Sequence, residues 1–302
     1  MSGPGLAVAG ARVVVTGAGS GIGAALAARF VAGGARVVVN DIASDAVRAV
    51  ATRLGAAAFP ADVAEPAAVS ALVGYARRHL GGIDLYCGNA GVAGNGPGEP
   101  TDEVWHRAWQ VNVMSHVYAA RELLPHWLAA GRGRLLVTAS AAGLLTMLGN
   151  APYSVTKHAA VGYAEWLRAT YAHRGVTVQL LCPRGVRTPM LAAGGDRAAA
   201  QLDDDAVTPE QVADAVGEAL TDDRFLVLPH PEVATYHARR AADPQRWLRT
   251  MNRAQRELER RGDLPGAVPR PADGAVPRPA DGVVPRPADG VVPRVADGAA
   301  DD

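Results

Sequence analysis

The chain has 302 residues, 49% of them apolar and 20% charged, and its 30 basic and 30 acidic residues cancel. That length suits one large domain or two small ones. The balance argues against a surface built for nucleic acid or an anionic membrane. No apolar run approaches the ~20 residues of a membrane span, and the opening MSGPGLAVAG lacks the basic region and apolar core of a signal peptide.

Residues 11–16, ARVVVT, read as a short buried strand. Gly17, Ala18, Gly19, Ser20, Gly21, Ile22 and Gly23 follow, and residues 24–32 are an alanine-rich helix. Strand, glycine loop and helix in that order form the context of a dinucleotide site. The glycines let the backbone approach a pyrophosphate, and the helix N-terminus supplies amides and partial positive charge. A second strand, 35–40, ends in Asp41. An acidic group there can bind adenosine ribose hydroxyls and would repel a 2′-phosphate, so NAD is expected over NADP. A turn or helix-capping aspartate is the alternative.

A helix over 44–54 leads to a third strand, 56–60, then to Asp62 and Val63. Pro66 opens a helix running to residue 79. A fourth strand, 83–87, ends in Gly88, Asn89, Ala90 and Gly91. This alternation predicts a doubly wound, parallel α/β sheet with helices on both faces and a ligand at the carboxyl ends of its strands.

Residues 92–101 form a glycine- and proline-rich loop over that site. A long helix over 101–130 contains Asn112 among valines, with Pro125 kinking or ending it. A polar group in that setting needs a partner, whether in the core or in the site. A fifth strand, 134–140, delivers Ser140 to the same edge. Leu144, Leu145, Met147 and Leu148 are then either an apolar pocket wall or core.

Tyr153 and Lys157 stand four residues apart, on one face of a helix. Lys157 is the only lysine in the chain. A compact ammonium can donate to a sugar hydroxyl and lower a neighbouring phenol's pKa by its charge. Free tyrosine titrates near ~10, so such a neighbour would make Tyr153 a better general base toward an alcohol, or acid toward a ketone.

In this order the motifs resemble the short-chain dehydrogenase/reductase family, in its short single-domain branch. They include Thr16 to Gly23, Asp62-Val63, Asn89-Ala90-Gly91, Asn112, Ser140, Tyr153 to Lys157 and Pro183 to Thr188, with Ser140 and Tyr153 at the family's usual gap. The resemblance implies a seven-stranded sheet. It implies Tyr153 as catalytic acid/base, Ser140 bonding the substrate oxygen, and Lys157 holding the nicotinamide ribose. Asn112 would support a proton relay through water. Cofactor contacts are implied at Gly17, Ser20, Gly21, Ile22 and Gly23, at Asn89, Ala90 and Gly91, and at Pro183, Val186 and Thr188, with Asp62 and Val63 flanking the adenine. A homotetramer or homodimer acting on a secondary alcohol or its ketone is implied as well. Regulatory use of a cofactor-binding fold, or a different reaction on the same residues, remains an alternative.

The family pattern Pro-Gly is interrupted here as Pro183-Arg184-Gly185, so the Arg184 side chain would crowd the nicotinamide or reach the substrate mouth. Residues 189–206 resemble a substrate lid. Thr208 and Pro209 start another helix, 225–228 is a seventh strand, and a helical stretch runs over 232–260 with Trp247, Leu248 and Met251 as anchors. Those anchors would pack on a second subunit or cover their own sheet. The histidines show no metal-ligand spacing, so no metal is expected. Cys87 and Cys182 each follow an apolar run and read as buried thiols of a reducing compartment, consistent with a cytoplasmic protein. From residue 267 an eight-residue repeat, AVPRPADG and its variants, lacks the apolar groups for a core. The expected division is a catalytic domain over 1–262 and a solvated tail over 263–302, either dispensable or a docking segment for a protein partner.

Overall fold

The strands are short runs of valine and leucine, apolar on both sides, as a sheet covered on both faces requires. A computed structural model describes residues 5–94, 100–193 and 206–261. Seven strands lie parallel in the order β3-β2-β1-β4-β5-β6-β7. They are β1 (Arg12–Thr16), β2 (Arg36–Asn40), β3 (Ala57–Ala58), β4 (Leu85–Gly88), β5 (Gly133–Thr138), β6 (Val176–Leu181) and β7 (Leu226–Val227).

Between strands run α1 (Gly21–Ala32), α2 (Ser44–Leu54), α3 (Pro66–Leu80), α4 (Asp102–Trp109), α5 (Ser115–Ala130), α6 (Ala142–Leu145), α7 (Ala151–Tyr171), α8 (Pro189–Ala193) and α9 (Pro209–Ala219). After β7 come α10 (Glu232–Ala242) and α11 (Pro244–Arg261). The strand period of two sorts the core. Val14, Val38, Tyr86, Leu135 and Leu180 pack with α3, α5 and α7, while Val13, Val37, Leu85, Cys87 and Leu136 pack with α1, α2 and α9. Both cysteines are buried free thiols.

Strand order reverses between β1 and β4, because β1 pairs with β2 on one side and β4 on the other. That reversal opens a crevice at the strands' carboxyl ends, where the glycine loop and the Asn89 segment meet.

Several boundaries differ from the sequence reading. The helix over 101–130 is divided by a π-turn, Gln110–Met114, which buries Asn112 completely. Pro125 lies inside α5 and does not end it. The helix continues to Gly131, whose positive φ of 61° closes it. The stretch over 232–260 is two helices, because Pro244 starts a new one and Asp243 accepts from the Arg246 amide at 2.8 Å. The edge strands at 56–60 and 225–228 shrink to two residues each, since each has a single neighbour to bond. Residues 95–99 of the loop over 92–101, residues 194–205 of the lid-like segment and the repeat tail from 262 lie outside the described residues.

Candidate active site

The glycine loop is shaped by contacts that leave no room for side chains. A Cβ at Gly23 would sit 2.1 Å from the Gly17 carbonyl oxygen, and one at Gly17, where φ is +63°, 2.7 Å from the Ala90 Cα. Asn89 stitches this loop to β4. Its side-chain amide donates to the Thr16 and Gly17 carbonyls at 3.0 and 3.3 Å, and its backbone N–H donates to Thr16 Oγ1 at 2.9 Å. Ser20 caps α1 without a side-chain bond, so the first amides of the helix have no capping side chain. Such a cradle fits a dinucleotide's pyrophosphate.

Asp41 extends over the loop from the end of β2. One carboxylate oxygen accepts from the Gly19 amide and the other from the Ala43 amide, each at 2.9 Å. The turn contact and a place in the cavity lining therefore coexist in one side chain. Thr188 packs against Gly21, where a Cβ would lie 3.0 Å from its methyl.

α7 presents Tyr153 and Lys157. Asn150 caps it by accepting from the Tyr153 amide at 3.1 Å, and a proline occupies its first turn. Ser140, just past β5, accepts from the Ala142 amide at 3.1 Å and donates to the Pro183 carbonyl at 3.4 Å. Lys157 is buried and donates to the Thr138 carbonyl at 2.9 Å. Burial lowers its ammonium to about 8.

Burial also raises the Tyr153 phenol, with a hydrogen bond to Ser140 opposing the rise. The sequence reading had Lys157 lowering that phenol. Here desolvation dominates and Ser140 is the counterweight. His116, packed against Gly88, is buried, and neither ring nitrogen has a partner among the described residues. Desolvation, then the Lys157 charge, pull it down to about 3, which keeps it neutral.

A cavity of about 730 Å³ joins these groups. Ser140, Tyr153, Lys157, Asp41, Asn89, Ala90, Gly91, Pro183, Val186 and Thr188 line it, as do Gly17, Ser20, Gly21 and Ile22. Four anticipated residues do not. Gly23 lies behind the loop in close packing. Asp62 is held 2.7 Å from Arg107 in an ion pair and accepts from the Ala64 amide, and Val63 is in the core. Asn112 stands behind Gly91. Its amide donates to the Val92 carbonyl and Thr156 Oγ1, both at 3.0 Å, and accepts from the Val92 N–H at 2.9 Å.

The apolar segment after Ser140 divides. Leu144 is core, while Leu145, Met147 and Leu148 face the cavity. Ser154 fixes this segment by exchanging two hydrogen bonds with the Met147 backbone, at 2.9 and 3.0 Å. Thr146 carries a φ of +83°, a strained value for a β-branched residue. Arg184 reaches the cavity and lies 3.8 Å from Glu232, while its backbone N–H donates to His230 Nδ1 at 3.2 Å. Sequence reading missed the wall built by Tyr236 of α10 and by Trp247, Met251, Ala254 and Leu258 of α11. The signal was present as steps of four, seven and eleven residues from Trp247. Among the described residues no cluster of His, Cys, Asp or Glu is arranged to hold a metal.

The short chain dehydrogenase family pattern matches residues 11–198. The chain is 40% identical to 1-deoxy-11-beta-hydroxypentalenate dehydrogenase of Streptomyces avermitilis, over 74% of this chain and 85% of that protein. It is 33% identical to cyclohexanol dehydrogenase of an Acinetobacter species, over 71% and 89% respectively. Its fold superposes on a short chain dehydrogenase/reductase from Burkholderia phymatum crystallised with NAD, with a TM-score of 0.73 and 28% identity, over 80% of this chain and 96% of that one.

Proposed function

From the premise that the chain belongs to the short-chain dehydrogenase/reductase family, oxidoreductases acting on CH–OH groups, we propose that it is an NAD-dependent dehydrogenase interconverting an apolar alicyclic secondary alcohol and its ketone. The observation that carries this reading is the meeting of Ser140, Tyr153 and Lys157 in one cavity with the glycine loop and Asp41. The names of relatives acting on hydroxypentalenate and cyclohexanol support an alicyclic substrate, and the apolar lining from Leu145, Met147 and Leu148 supports an apolar one.

In this mechanism the alcohol oxygen sits between Ser140 Oγ and the Tyr153 phenol. Ser140 orients it, and Tyr153 takes the hydroxyl proton during oxidation and returns it during reduction. Bound nicotinamide supplies the hydride acceptor or donor. Lys157 uses one of its three donors on the Thr138 carbonyl, leaving donors for the ribose hydroxyls. Asp41 accepts from the adenosine ribose and disfavours a 2′-phosphate by its charge. Asn112 is a positioning residue: it fixes the Val92 backbone beside Gly91 and Lys157, along the path by which the proton leaves. Pro183, Val186 and Thr188 line the same cavity and would help hold the nicotinamide. Asp62 and Val63 act on the adenine end only through the chain they anchor.

Exposed apolar side chains at Trp109, Val155 and Trp166 support a homodimer or homotetramer. Among the described residues no helix is long and apolar enough to cross a membrane, and a cytoplasmic site of action is part of this reading.

The test is absorbance of reduced nicotinamide with NAD and NADP in parallel over a panel of alicyclic secondary alcohols. NAD reduction by the parent that disappears in Tyr153→Phe is the expected result. Cofactor binding with no turnover of any alcohol or ketone would overturn the redox reading.

A further inference from the structure

Resting on that reading, we propose that α11 is the substrate-selecting wall, in which Trp247, Met251 and Leu258, with Tyr236 of α10, take the bulky apolar body of a multi-ring alcohol. The argument begins with phase. Trp247, Met251, Ala254 and Leu258 fall on one stripe of the helix, and all four line the cavity. Arg249, Arg253, Arg256 and Arg260 are exposed on the other side.

An amphipathic helix of this kind ordinarily buries its stripe in a core. No residue of α11 is fully buried, and its apolar face borders the cavity instead. The Trp247 indole N–H is buried without a hydrogen-bond partner among the described residues. That is unfavourable unless a polar group meets it.

Position matters as much as composition. The Arg240 guanidinium donates to the Leu144 carbonyl at 2.7 Å, tying α10 to the segment that bears Leu145, Met147 and Leu148. The helices thus enter the cavity beside its apolar loop. Two aromatic faces supply large rigid contact area at low entropic cost, and Met251 adapts to irregular shapes. A single small ring leaves most of that area untouched, whereas a fused-ring body covers it.

The test measures kcat/KM, and calorimetric binding to the full-length protein, for cyclohexanol, a decalin-type bicyclic alcohol and a tricyclic alcohol. Variants are Trp247→Ala, Trp247→Phe and Met251→Ala/Leu258→Ala. Loss of one or more buried methylenes from a pocket weakens selection by about tenfold or more, so that is the expected drop for the tricyclic alcohol. The cyclohexanol values fall by clearly less, about twofold to threefold, since a single ring covers little of this wall. Trp247→Phe restores most of the loss. Equal losses across ring sizes, or none, would overturn the assignment. Size-graded binding without any turnover would support the wall while overturning the redox reading on which its catalytic use rests.

Discussion

The Lys157 ammonium lies 5.6 Å from the centre of the Tyr153 ring and hydrogen-bonds the Thr138 carbonyl. The cation therefore rests against the ring while its donor is anchored to β5. Burial works against the charge and brings the ammonium to about 8 from its ordinary 10.5. Between those values the unfolded chain binds more proton than the folded one, so this group makes stability rise with pH across that window. Below it both states are protonated and the full desolvation penalty remains. Lys157→Met should lack the rise, which urea unfolding of both proteins at about pH 7.5 and about pH 10 checks. Cofactor affinity of the parent should weaken as pH passes 8, with no such step in the variant.

Tyr153→Phe removes the proton carrier and leaves the ring that packs near Lys157. Turnover is expected to fall by about a hundredfold to ten-thousandfold, with cofactor affinity unchanged in fluorescence titration. Ser140→Ala removes the hydrogen bond that opposes the rise in the Tyr153 phenol. Its pH–rate profile for alcohol oxidation should therefore move to higher pH.

Asp41→Asn keeps an oxygen for the Gly19 amide and removes the charge. The ratio of kcat/KM for NADP to that for NAD should rise by about tenfold, as expected for removing one repelling charge at a phosphate. An unchanged ratio would assign Asp41 to the turn alone.

Much of this site is legible from neighbouring residues, because a parallel sheet brings the chain's strand ends to one edge. The glycine loop, Asn89, Ser140 and Tyr153 each follow a recognisable strand or open a helix, so their meeting follows from topology. The rest depends on partners far along the chain. Asp62 is paired with Arg107, 45 residues further along the chain, a contact that its motif does not report. The π-turn leaves no composition signal, yet it determines that Asn112 faces Val92. The rise of the Tyr153 phenol is a matter of depth, which a four-residue spacing does not report. β3 and β7 fall inside the strands read at 56–60 and 225–228, and only their shorter extent, set by a single neighbour each, is not legible.

Asn112→Leu strands both polar groups of Val92 and the Thr156 hydroxyl bond. A destabilisation of about 2–4 kcal/mol is expected from losing this buried set, read as a lower urea midpoint. Asn112→Asp should also destabilise, because a carboxylate accepts from the Val92 N–H but cannot donate to its carbonyl.

Ending the chain after Arg261 removes the proline-rich repeats and keeps α11. Since the composition of these repeats offers few apolar groups for a core, kcat and KM should stay within about twofold of the full-length values. A larger fall in a folded protein would give the repeats a part in turnover.

All seven strands are complete by Val227, and α10 and α11 follow them. The order of the chain thus separates the strand-end side chains Ser140, Tyr153 and Lys157 from the cavity wall that α10 and α11 add. A genetic crossover at 228–231 would transplant the outer wall whole, leaving the glycine loop and the proton-handling side chains of the parent untouched. If α11 selects substrate as proposed, exchanging this terminal segment would re-aim the chain at other alcohols without a string of compensating point changes in the sheet.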